Sequence, residues 1–180
     1  RSGRFGQEGH RIGVAAMVDH EAGVGAGVDE PGRLGEHFRC HAEVEAHPQF
    51  AQQPQAGDKT LFKIGDLIDP QMELYADKER TLPVDDDHAR RYERVITVTL
   101  PKGARIENLG DLKFDRSLVR DGKELLKFHS DYTLEGDVLT VTVVEFYKVC
   151  QLPISEFEAY RSVVNAAADF NKVTLVLARS

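Results

Sequence analysis

The stretch that most constrains this chain lies between residues 123 and 177. Two alternating extended segments meet at a tight turn, and a helical pattern and a last apolar run follow. Leu126, Phe128, Ser130, Tyr132 and Leu134 share one face of the first segment. Lys127, His129, Asp131 and Thr133 share the other. Strict alternation over this length marks a half-buried strand. In Glu135-Gly136-Asp137 the glycine can take a positive φ without steric cost, which predicts a turn. Residues 138–149 are rich in β-formers. Leu139, Val141, Val143 and Tyr147 lie on one face, and Val138, Val144 and Phe146 on the other. This predicts a central strand covered on both sides.

Leu152-Pro153-Ile154 ends that strand. Ser155, with Glu158 three residues on, reads as a helix start closed by a capping box. Phe157, Tyr160, Val163, Val164, Ala167 and Ala168 recur at helical spacing and predict the buried face, packed on the strand of Val141 and Val143. Arg161 and Ser162 point away. Asn171 is the expected left-handed stop, and residues 173–177 form a short final strand. Upstream, Tyr92, Arg94, Ile96, Val98 and Leu100 alternate with Glu93, Val95, Thr97 and Thr99, and Asp121-Gly122 signals a hairpin. The fold class expected is mainly β with one C-terminal helix: an antiparallel, sandwich-like domain with the helix packed on the sheet and followed by a short last strand.

Residues 1–58 differ in composition from the rest. They hold ten of the 15 Gly and five of the seven His, and no Lys, Asn or Tyr. This sets an expected boundary: a low-order Gly/Ala/His-rich segment over 1–58 and a β-rich domain over 59–180. Two readings stay open for the first segment. It is a flexible stretch that cannot repay its ordering entropy, or it is not native to the fold, as a segment read in the wrong frame would be. A chain starting without Met is expected to be a fragment, a mature form or a partial reading frame. The formal net charge of −7, with Lys and Arg scattered rather than in runs, argues against a nucleic-acid backbone binder. No apolar run predicts membrane insertion, and no secretory signal is visible.

Four groups invite a chemical reading. Gly23 to Gly27 lacks the spacing of a phosphate-binding loop. His37, Cys40, His41 and His47 place a thiol among imidazoles, as a cysteine nucleophile or a zinc site would. The spacing fits no closed zinc pattern, nearby Glu36, Glu43 and Glu45 suit a solvated face, and His10 and His20 add nothing. Asp85-Asp86-Asp87-His88 lacks the ligand alternation of a calcium loop and reads as a solvated acidic turn. Cys150, at a strand end, reads as a small buried hydrophobe. The expectation is therefore no catalytic, cofactor-binding or metal-binding residue, and no cofactor.

Arg90-Arg91-Tyr92-Glu93-Arg94-Val95-Ile96-Thr97-Val98, then Leu100-Pro101-Lys102-Gly103 and Asn108-Leu109-Gly110-Asp111-Leu112, precede an ending that runs from Phe157-Glu158-Ala159-Tyr160 to Phe170-Asn171-Lys172. In this order they resemble the C-terminal β-rich domain of bacterial transglutaminase-like proteins. Those are multidomain chains with an N-terminal domain of unknown function and a papain-like core. The resemblance covers roughly residues 59–178. It implies a non-catalytic accessory domain that packs against, or shapes the cleft of, an upstream transglutaminase-like core of the same protein. It also implies a parent that is transglutaminase-like or cysteine-protease-like, and a periplasmic or secreted location. The family's Cys-His-Asp triad belongs to that core and maps onto no residue here. Two rivals stand beside this reading: an autonomous peptide- or glycan-binding β module, and a cysteine hydrolase using Cys40 with His37, His41 or His47.

Overall fold

In a computed structural model the described residues are 38–46, 53–68, 70–74 and 80–179, with the backbone alone for 38–46 and 179. The strands run in chain order as β1 (Phe38–Ala46), β2 (Gln55–Ala56), β3 (Lys59–Lys63), β4 (Val84–Asp85), β5 (Arg90–Thr99) and β6 (Ala104–Ile106). They continue as β7 (Phe114–Arg120), β8 (Lys123–Glu135), β9 (Val138–Tyr147) and β10 (Gln151–Leu152). Helix α1 (Phe157–Lys172) leads into β11 (Thr174–Arg179). Five strands form one sheet in the order β1-β5-β9-β8-β7, four form another in the order β2-β3-β11-β6, and β10 pairs with β4. The domain is mainly β with a single C-terminal helix and a short strand after it, as the alternation patterns require. Among the described residues every strand pairing is antiparallel except β1 with β5.

Turn chemistry fixes the β7–β8–β9 meander. Asp121 and Gly122 both have positive φ (51° and 72°), the conformation that lets a two-residue hairpin follow the strand twist. Gly136 (φ 59°) makes the next turn. One apolar core then joins both sheets to the helix: Ile96, Val98, Leu126, Leu139 and Val141 from the five-stranded sheet meet Ile64, Leu175, Val163 and Phe170. β9 occupies the centre of its sheet, as expected, but it is covered on one face only. Leu139, Val141 and Val143 are buried, whereas Val138 and Thr142 are exposed and Thr140 and Val144 half-buried. The odd-numbered residues face the helix and second sheet. On the other face Phe146 is shielded by cations, with Lys148 Nζ 4.3 Å and the Arg91 guanidinium 5.5 Å from its ring centre.

The helix buries its predicted face and adds Ala166 and Phe170 to it. Its main support is β7 and β8 rather than β9. The Phe170 ring meets Phe114 at 6.1 Å and Phe128 at 5.8 Å. β9 is reached through Tyr160 against Tyr147 at 6.1 Å. The capping box does not form. Ser155 lies in a 3-10 turn, Ile154–Glu156, that runs straight into α1, and no side chain caps the helix. Glu156 is drawn to Arg120 and Glu158 to Arg161 instead. Asn171 stays helical, and the chain leaves through Val173 (φ −57°) directly into β11. Gly65 is needed where the 3-10 turn after β3, Ile64–Leu67, passes this helix end, because a Cβ there would collide with the Asn171 carbonyl oxygen.

Sheet pairing crosses the composition break. β1 and β2 lie before Lys59, yet β1 pairs with β5 from Phe38↔Arg90 to Ala46↔Val98, and β2 pairs with β3.

Candidate functional site

On the core-facing side of the large sheet, the pairing partners Ile96↔Val141 and Val98↔Leu139 give way to Arg94↔Val143, Tyr92↔Glu145 and Arg90↔Tyr147. Alternation puts Arg90, Tyr92 and Arg94 on the same face as the core valines. The sheet therefore ends in a charged and aromatic layer. That layer floors a cleft of about 290 Å³, with Met72 and Val164 on its walls.

Its groups compensate one another. Glu145 is buried, at 5% exposure. It accepts from Arg94 Nη1 at 3.2 Å and from the Tyr147 hydroxyl at 3.0 Å. Burying a carboxylate is tolerable because both of its oxygens are engaged, one by a cation. The Arg90 guanidinium stacks 4.1 Å from the Tyr147 ring centre and donates to Asp86 Oδ2 at 3.1 Å. The Tyr160 hydroxyl donates to the same carboxylate at 3.3 Å. Arg94 also lies 5.1 Å from the Tyr92 ring. Burial opposes the charge on Arg90, but the Asp86 carboxylate beside it favours the charged form, and the pKa stands above the ordinary value. Burial pushes the Tyr147 phenol up strongly, with the neighbouring Glu145 charge adding to the effect. Tyr160 is raised by burial and then by Asp86. Both phenols thus stay protonated through the neutral range. The cleft offers guanidinium faces, aromatic rings and hydroxyl groups: the means to bind and orient a polar partner.

The residues singled out in the sequence fall elsewhere. His10, His20, Gly23 to Gly27, His37 and His47 lie outside the described residues. Cys40 and His41 are consecutive positions of β1, opposite Tyr92 and Glu93 in register, so Cys40 does not sit in structureless chain. Cys150 is a free, half-buried thiol in the link between β9 and β10, and its carbonyl accepts from the Asp86 amide at 2.7 Å. Among the described residues no group of three His, Cys, Asp or Glu side chains is placed to hold a metal ion. The acidic turn is only partly solvated: Asp85, Asp87 and His88 are exposed, while Asp86 turns inward to Arg90 and Tyr160. Arg94 was visible in sequence as the charged member of an otherwise apolar set. Glu145 carries the same mark, between Val143 and Tyr147 on the buried face of β9, but its pairing with Arg94 depends on register.

The fold and the cleft define a mainly β domain with a polar end to its core. A solved structure is similar in fold: a putative protease from Parabacteroides distasonis, with a TM-score of 0.56 and 14% sequence identity over 80% of this chain. The chain spans 27% of that protein's length, and at this identity the likeness is one of fold. No family profile and no curated protein matches the chain.

Proposed function

We propose that this chain supplies a non-catalytic accessory domain to a transglutaminase-like or cysteine-protease-like core on the same polypeptide, packing against that core or shaping its cleft. The observation that carries the reading is the recurrence of nearly the whole fold as a minor part of a larger putative protease. The charged layer around Glu145 supports it too, because its phenols and guanidinium groups suit contact with a polar surface and its side chains engage one another rather than stand ready for chemistry.

Two measurements test it. Sequencing upstream of Arg1 is expected to reveal, in frame, a core with a Cys-His-Asp triad; an unrelated upstream sequence would remove the basis of the proposal. The purified chain is expected to incorporate no amine into casein and to hydrolyse no peptide, and Cys40→Ala to change nothing in either assay. Turnover abolished by Cys40→Ala would establish the cysteine-hydrolase reading instead.

A further inference from the structure

β1 is joined to the rest of the fold in an unusual way. It pairs with β5 alone, in the one parallel register among the described residues, over nine consecutive positions without a bulge. No other strand among the described residues pairs with it. Parallel ladders are slightly weaker per residue than antiparallel ones. Although β5 is flanked on both sides, residues 90–95 all remain half-buried. β1 thus completes the hydrogen bonding of β5 without closing the surface around it.

The β1 sequence has a form that strand pairing can read. Phe38, Cys40, Ala42, Val44 and Ala46 alternate with Arg39, His41, Glu43 and Glu45. In register the first set stands opposite Arg90, Tyr92, Arg94, Ile96 and Val98, the positions of β5 that share the core face. Without β1, β5 would be a ten-residue exposed edge next to β9, a surface that invites strand addition.

We infer that the outer edge of β5 is a strand-addition site, with β1 as its detachable intramolecular occupant. The partner it takes is an extended polypeptide segment of the β1 type: apolar, mostly small residues alternating with polar or charged ones, added parallel to Arg90–Val98. Main-chain hydrogen bonds supply the affinity and the alternating side chains the register.

The test uses the full chain and a fluorescent nine-residue peptide with the sequence of Phe38–Ala46. In a parallel pair, alternate residues of one strand bond the other. The double substitution Ala42→Pro with Glu43→Pro therefore removes at least one ladder bond whichever phase β1 adopts. The peptide should bind this variant at least about tenfold more tightly than the unaltered chain, where β1 occupies the site. A scrambled peptide should not bind. A chain with a protease site inserted at residue 50 provides a second route that leaves β1 itself intact. Cleavage should let the N-terminal fragment dissociate on dilution, and the peptide should then bind in its place. Equal peptide affinity before and after cleavage would overturn the inference. So would a fragment that never leaves, or an emptied edge that pairs with a second copy and ignores the peptide.

Discussion

β5 has two neighbours, and they hold it differently. β9 runs antiparallel along all of Arg90–Thr99, and the two strands are joined by side chains as well as backbone. Ile96 and Val141 are fully buried opposite each other, Arg94 grips Glu145, and Arg90 lies over Tyr147. β1 runs parallel over nearly the same length, and among the described residues its pairing is with β5 alone. A complete backbone ladder sets register. Buried side-chain area sets stability, because each backbone hydrogen bond only exchanges a bond to water for one to protein.

Five variants sharpen this contrast. Ile96→Ala removes a fully buried side chain from the β9 side and should cost about 2–5 kcal/mol by denaturant titration. A loss no larger than that of a surface substitution would mean that β5 and β9 are not joined through the core. Arg94→Ala leaves the Glu145 carboxylate short of its cation. With side chains 17% and 7% exposed, the pair is less deeply placed than a fully buried one, so a cost of about 2–3 kcal/mol is expected. Replacing both by Leu should recover most of that loss, whereas an unimproved double variant would mean that the charges contribute more than mutual compensation.

Tyr147→Phe should cost about 1–2 kcal/mol near neutral pH, the worth of one hydrogen bond to a buried carboxylate. Its clearer effect is on the alkaline limb. The folded-state pKa is raised above the ordinary 10.0, so above that value the native chain holds a proton the unfolded chain has lost. The resulting stability is fully present below about pH 10 and falls as pH rises beyond it. Titrations at about pH 8 and about pH 10.5 should show a steeper loss for the unaltered chain than for Tyr147→Phe. Parallel loss in both would remove Tyr147 from the linkage. The smallest effect belongs to β1: Ala42→Pro with Glu43→Pro should shift the global midpoint by less than about 1 kcal/mol. A drop comparable to that of Ile96→Ala would put β1 inside the cooperative unit.

The meander was legible because its signals are local and chemically specific. Asp121-Gly122 and Gly136 mark the turns, and Leu126, Phe128 and Ser130 alternate without a break. The helix face was legible for the same reason. Its cap was not, since the 3-10 turn removes Ser155 from the capping position and Arg161 engages Glu158. β1 was hidden by averaging: the Gly and His content of residues 1–58 outweighed the alternation from Phe38 to Ala46 inside them. Its pairing is with a strand far along the chain, which no local pattern states. The charged layer was half legible. Arg94 stood out among apolar neighbours, but Glu145 gains its partner only through the β5–β9 register, and Asp86 meets Tyr160 only through helix packing.

Native-state hydrogen exchange across a denaturant series tests the contrast between β9 and β1 most directly. The amides linking β5 to β9 should exchange only through global unfolding, with a steep dependence on denaturant. Those linking β5 to β1 should exchange through a cheaper local opening that denaturant barely affects. Equal protection and equal denaturant dependence on both sides of β5 would contradict the account, for they would make β1 as integral to the fold as β9.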